Sequence, residues 1–194
     1  MTNSEPRARI AGAGKRERLA EAAATVFHQQ GVEKTTIADI ARAAEVPLGN
    51  VYYYFKTKDQ LVQAAIGAHA RTAGEIIAAL EQLDEPGERL RALVRGWVAQ
   101  RELAVRFGCP SGTLATELDK RADGLDRELA EVMRGLLGWI EAQFAALGRA
   151  DARELAVALL ASYQGISLLA NTFRDPEMMA NEGARLERWI DSLR

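Results

Sequence analysis

The chain has 194 residues, 48% hydrophobic and 27% charged, which provides for a sizeable core and a soluble surface. Apolar residues recur at helical spacing without the unbroken run of roughly 18 that a membrane span needs, and residues 1–14 lack the apolar stretch of a signal peptide. The single cysteine, Cys109, excludes a disulfide framework and a multi-cysteine zinc site, and the net charge of −2 divides unevenly, with nine Lys/Arg against seven Asp/Glu in residues 1–60 and sixteen against twenty beyond. The amino-terminal end is thus the part expected to meet a polyanion, a fluctuation of surface charge being the alternative. Cytoplasm is the expected compartment.

Residues 1–14 read as a flexible basic arm. Arg7 and Arg9, with Lys15 and Arg16 beyond, are placed to reach a minor groove, unless the segment is a solvated tail. Leu19, Ala22, Ala23, Val26 and Phe27 then form one apolar face of a first helix, closed by Gly31. Ile37, Ile40, Ala41 and Ala44 repeat the pattern behind Thr36, which can cap a short second helix. Residues 47–55 form a third, opening on Pro47. Thr57 and Gln60 have the spacing of a capping box and start a long fourth helix reaching about Leu83.

Beyond Asp84-Glu85-Pro86-Gly87, the residues Leu90, Leu93, Val94, Trp97 and Val98 define a fifth helix. It breaks at Gly108-Cys109-Pro110-Ser111-Gly112, and Leu114, Ala115 and Leu118 mark a short sixth. Asp123 can cap a seventh with Leu125, Leu129, Met133, Leu136, Ile140 and Phe144 on one face. Asp151, with Glu154 three residues on, opens an eighth that stops before Asp175-Pro176, and a ninth carries Leu186, Trp189, Ile190 and Leu193. No strand is expected. The fold class is all-α.

The most informative stretch is residues 35–61, TTIADIARAAEVPLGNVYYYFKTKDQL. Two short helices meet through a tight turn at Glu45-Val46, the spacing of a helix-turn-helix. Small Ala41 and Ala44 let the helices approach, and Ile40, Val46, Val51 and Phe55 would fix their angle. The free face of the third helix then presents Leu48, Gly49, Asn50, Tyr52, Tyr53 and Tyr54 to a major groove, with Lys56 and Lys58 beyond it near phosphates. A run of three tyrosines cannot lie on one helix face, so at least one hydroxyl must be exposed.

Residues 15–61 resemble the TetR family of repressors: a first helix ending in Gly31, then TTIADIARAA, then VPLGNVYYYFKTKDQL. The segment FGCPSGTLATEL (107–118) is similar to one found in a subgroup of these regulators. The resemblance implies a three-helix DNA-binding domain (15–60) and a six-helix effector-binding and dimerisation domain (61–194). It implies a repressor, not an enzyme, that acts as a homodimer on a palindromic double-stranded operator and is released by a small-molecule effector. Thr36 would touch a phosphate. Leu48, Gly49, Asn50 and Tyr53 would face bases or the adjoining backbone, and Tyr52, Tyr54 and Lys58 would hold phosphates. The family usually has glycine where this chain has Glu45, and a left-handed glutamate there would cost about 1–2 kcal/mol.

In the larger domain Trp97, Phe107, Cys109, Met133, Trp139, Tyr163, Gln164 and Leu168 are candidates for an effector pocket, with Gly96, Gly135 and Gly138 leaving room. For each residue taken singly, a place in the core is the alternative. Cys109, at a Gly/Pro break, is a candidate sensor thiol or else a buried inert one. Leu155, Leu159, Tyr163, Leu186, Trp189 and Ile190 are candidate dimer contacts. His28 and His69 belong to no metal-binding pattern, and no cofactor fingerprint appears. A helical enzyme or carrier with a vestigial head, and a protein-interaction module, are the rival readings.

Overall fold

Every regular element among the described residues is an α-helix. The computed structural model describes residues 14–121 and 124–193. The helices are α1 (Lys15–Gln30), α2 (Ile37–Ala43), α3 (Leu48–Tyr54), α4 (Lys58–Leu80), α5 (Pro86–Ala99), α6 (Arg101–Phe107), α7 (Pro110–Leu118), α8 (Leu125–Ala146), α9 (Ala152–Phe173) and α10 (Pro176–Asp191). The expected fifth helix is broken at Gln100 (φ −98°, ψ 12°), whose N–H reaches back three residues to the Trp97 carbonyl. With α5 and α6 taken as one broken helix, the expected nine are present among the described residues. Residues 1–13, with Arg7 and Arg9 of the arm, and the Asp123 cap lie outside them, while Lys15 and Arg16 belong to α1 rather than to an arm. The seventh expected helix, α8, follows Gly124 in a left-handed conformation.

The chain divides into two compact units inside α4, after Ala70. In the first, Leu19, Ala22, Ala23, Val26 and Phe27 of α1 are all buried, and so are Leu61, Val62, Ala65 and Ile66 of α4. The α2–α3 corner is built as its residue types require: Ile40, Ala41, Ala44, Val46, Val51 and Phe55 are each at most 4% exposed. Glu45 takes φ 54°, with its N–H on the Arg42 carbonyl and the Val46 N–H on the Ala41 carbonyl. This is the Schellman closure of a helix end, with glutamate where glycine is usual. At the start of α4 the Gln60 N–H donates to Thr57 Oγ1 at 3.2 Å. The Gln60 side chain reaches one residue further back than a capping box requires, accepting from the Lys56 N–H at 2.6 Å.

In the second unit Leu90, Leu93 and Val94 of α5 pack with Trp139, Ile140 and Phe144 of α8, Ala156 and Leu159 of α9, and Leu186 and Ile190 of α10. Arg89 ties the α4–α5 turn to α8, donating to the Leu83 carbonyl at 2.8 Å and to Gln143 Oε1 at 3.2 Å. Arg91 on α5 bonds Glu88 on its own helix and Asp191 on α10. Gly183 of α10 sits against Val98 of α5, where a Cβ would lie 2.3 Å from Val98 Cγ2. Asp151 does not cap α9 with its side chain, because Arg149 takes both its carboxylate oxygens at 3.0 Å. By length and composition α9 is apolar enough to cross a membrane (mean hydropathy 1.3). Here it packs against α6, α8 and α10 instead, burying Ala156, Leu159, Ser167 and Ala170.

Candidate nucleic-acid interface and effector site

The third helix is anchored by Val51 and open along most of its other face. Val51 is wholly buried, while Leu48 (44%), Tyr52 (45%) and Tyr53 (79%) are exposed and Gly49 and Asn50 stand open beside them. Tyr54 is half-buried and meets Tyr53 edge-on with ring centroids 5.0 Å apart. The site therefore presents two phenols, one amide and one aliphatic side chain on a seven-residue helix slim enough for a major groove. Thr36 forms a full capping box, its Oγ1 accepting from the Asp39 N–H at 3.2 Å while the Thr36 N–H donates to Asp39 Oδ2 at 3.0 Å. The Thr36 hydroxyl also donates to Asp39 Oδ2 at 2.6 Å, and this bond first and the one from the Thr36 N–H second hold the Asp39 carboxyl below its ordinary pKa, with Arg42 adding a smaller effect.

The two lysines are folded onto backbone rather than extended. Lys58 Nζ donates to the Glu33 carbonyl at 3.0 Å, and Lys56 Nζ to the carbonyl of Tyr52. A phosphate would exchange those neutral acceptors for a charged one, the stronger hydrogen bond. On α1, Arg16 stacks its guanidinium over Phe55 at 5.4 Å, a contact that the sequence pattern did not suggest.

The effector candidates divide into a group that meets and a group that does not. Trp97 stacks on Tyr163, centroids 4.2 Å apart and planes 15° from parallel. The Gln164 amide donates to Cys109 Sγ at 3.4 Å, and so does the Gly112 N–H. Burial, and then contact with Cys109 that includes a hydrogen bond, push the Tyr163 phenol above its ordinary pKa. These four residues form one cluster where α5, the start of α7 and the middle of α9 converge. Phe107 lies at the end of α6 with the Arg106 guanidinium 5.0 Å from its ring. Trp139 is core, its indole N–H reaching Glu81 Oε1 at 3.3 Å, and Met133 is half-buried on α8.

Leu168 is 65% exposed, because five residues beyond Tyr163 an α-helix has turned about 140° away. Gly96, Gly135 and Gly138 face outward and make no room beside the tryptophans. Of the expected dimer contacts, Leu159, Leu186 and Ile190 are buried in the protomer's own core. The exposed apolar stripe of α9 is instead Val157, Ala161, Gly165 and Leu168, with Leu169 and Phe173 alongside. Sequence reasoning missed Ser167, whose spacing of three and four from Gln164 and Tyr163 was the available signal.

Residues 19–65 match the family model described as "Bacterial regulatory proteins, tetR family", and residues 86–183 match "Tetracyclin repressor-like, C-terminal domain". The chain is 32% identical over 176 residues to an HTH-type transcriptional regulator of Mycobacterium tuberculosis, covering 84% of this chain and 87% of that one. The chain belongs to the TetR family. As a TetR-family protein it is a DNA-binding transcriptional regulator and not an enzyme. This TetR-family chain is also 40% identical over 70 residues to the regulator TtgR of Pseudomonas putida, covering 36% of this chain and only 33% of that regulator. The fold is shared with a TetR transcriptional regulator from Chloroflexus aurantiacus, with a TM-score of 0.79, 25% identity and coverage of 91% and 94%.

Proposed function

We propose that this TetR-family regulator is a cytoplasmic homodimeric repressor that a small molecule releases from a palindromic operator. The observation that carries the reading is the face of α3, open at Leu48, Gly49, Asn50, Tyr52 and Tyr53 and anchored from behind by Val51. Asn50 and Leu48 are assigned to base edges, Tyr53 to bases or the adjoining backbone, and Tyr52, Tyr54, Thr36 and Lys58 to phosphates. The apolar stripe of α9, with Ala161 and Gly165 at its centre, supports a second copy as the partner on that side, since small residues let two helix backbones approach. The Trp97–Cys109–Tyr163–Gln164 cluster supports the second unit as the effector-binding body. An effector acts by preferring the conformation that binds DNA less well.

Gel-shift titration of the purified protein on genomic fragments tests this reading. Binding should weaken steeply with salt, as phosphate contacts release counterions. Tyr52→Phe combined with Lys58→Ala should weaken operator and scrambled DNA alike, whereas Asn50→Ala should change half-site preference. Undiminished binding by the double variant would remove the phosphate assignment, and salt-insensitive binding would remove the reading altogether.

A further inference from the structure

On the inner face of α9, Ser167 follows Tyr163 by one turn. It is wholly buried, and its Oγ has no hydrogen-bonding partner. A helix residue four beyond Tyr163 and three beyond Gln164 shares their face, so the hydroxyl belongs beside the phenol and the amide. Leaving a buried hydroxyl unsatisfied destabilises a protein, and such a group calls for a partner. The neighbouring donor is also poorly matched, because the Gln164 amide directs one of its two hydrogens at sulfur, a weak acceptor, at 3.4 Å. Gly112 makes room for the Gln164 side chain, since a Cβ there would lie 2.5 Å from Gln164 Oε1. The surroundings are apolar and partly aromatic: the Trp97–Tyr163 stack on one side, and the buried cluster of Ala104, Val105, Ala170 and Met179 against which Tyr163 packs.

We infer that the Tyr163–Gln164–Ser167 face of α9 is the polar anchor of the effector site, and that it takes an uncharged aromatic carbonyl compound. The inference rests on the reading of the second unit as an effector-binding body. The ligand's carbonyl oxygen accepts from the Ser167 hydroxyl and from the Gln164 amide, replacing the sulfur as the amide's acceptor. Its ring lies against Trp97. Tyr163, Gln164 and Ser167 are themselves neutral, and neutral donors do not repay the desolvation of a carboxylate, so this face favours the uncharged compound over an aromatic acid.

Calorimetric titration of the full-length protein, without DNA, provides the test, using acetophenone, ethylbenzene and benzoate as probes. Acetophenone should bind, ethylbenzene at least about tenfold more weakly for want of an acceptor, and benzoate more weakly still. Ser167→Ala should weaken acetophenone binding by about three- to tenfold, the loss of one neutral hydrogen bond. The same variant should melt at a higher temperature than the parent in the absence of ligand, because the unsatisfied hydroxyl is gone. A residue serving only the packing would not raise stability and lower affinity together. Equal acetophenone affinity in parent and variant, equal binding of ethylbenzene, or no acetophenone binding would each overturn the inference. Since DNA is absent, these failures are distinct from a failure to bind an operator, which the gel shift reads.

Discussion

Replacing Gly183 with alanine sets two effects of opposite sign against each other. Alanine is the better helix former by about 1 kcal/mol, so on propensity alone the variant should be more stable. Against this, the new Cβ would lie 2.3 Å from Val98 Cγ2 and 3.7 Å from Val98 Cβ and Val94 Cγ1, so a methyl group must move by more than half an ångström. Valine in a helix holds one χ1 rotamer, so Val98 yields only if α5 and α10 separate. Overpacking of this kind costs about 1–3 kcal/mol. With so deep an overlap the upper half of that range applies, leaving a net loss of about 1–2 kcal/mol. For a chain of this size that corresponds to a fall in Tm of roughly 3–6 °C. Thermal unfolding followed by circular dichroism reads it directly, and Val98→Ala in the same chain supplies the control. If the clash is the cause, the double variant should be more stable than the two single losses predict by about 1 kcal/mol or more. A Gly183→Ala protein that melts above the parent, or strictly additive losses, would refute the reasoning.

Three further outcomes are expected. His69 is half-buried and faces the charge of His28, and loss of solvent around the ring is the larger cause that takes its pKa from 6.5 to about 4. The folded state thus binds fewer protons than the unfolded one between those values, so stability should be full above pH 6.5 and fall towards pH 4 by on the order of 3 kcal/mol. Urea unfolding at pH 7 and pH 5 should show the loss in the parent and a smaller one in His69→Gln, and an unchanged loss in the variant would sink the assignment. Glu45→Gly should stabilise by about 0.5–1 kcal/mol, the relief of left-handed backbone less the entropy of glycine, and a lower Tm would contradict it. Leu168→Glu on the exposed face of α9 should convert a dimer to monomer in light scattering across a dilution series, while a dimer that persists would place the interface elsewhere.

Caps and periodicity made most of the fold legible. Thr36 with Asp39, Gly31, and the burial of Leu19 through Phe27 follow from residue type and spacing alone. The face of α3 was equally plain, because Val51 is the one large aliphatic residue in a run whose other members are polar, aromatic or small, apart from Leu48. α9 was not legible in the same way. It is apolar around most of its circumference, so the 3.6-residue period does not distinguish Leu168, which faces out, from Leu159, which faces in. Asp151 looked like a cap because local spacing ignores competitors, and Arg149 two residues earlier outbids the backbone for its oxygens. The break at Gln100 carries neither proline nor glycine to announce it. Ser167 carried no signal as a residue type, only its spacing from Tyr163 and Gln164, and its burial without a partner shows only in the fold.

The 22 residues of α9 form a rod about 33 Å long whose two sides have different occupations. Tyr163, Gln164 and Ser167 look inward, while Val157, Ala161, Gly165 and Leu168 look outward. A rod of this kind rolls as one body, so a roll imposed from inside is delivered whole to whatever rests on the outside. Where such a roll couples the two sides, the coupling also runs backwards, each binding event altering the other's affinity by the same factor. A molecule lodged against Ser167 would therefore sense whether Leu168 is covered, and its apparent affinity should drift with protein concentration even when no DNA is present.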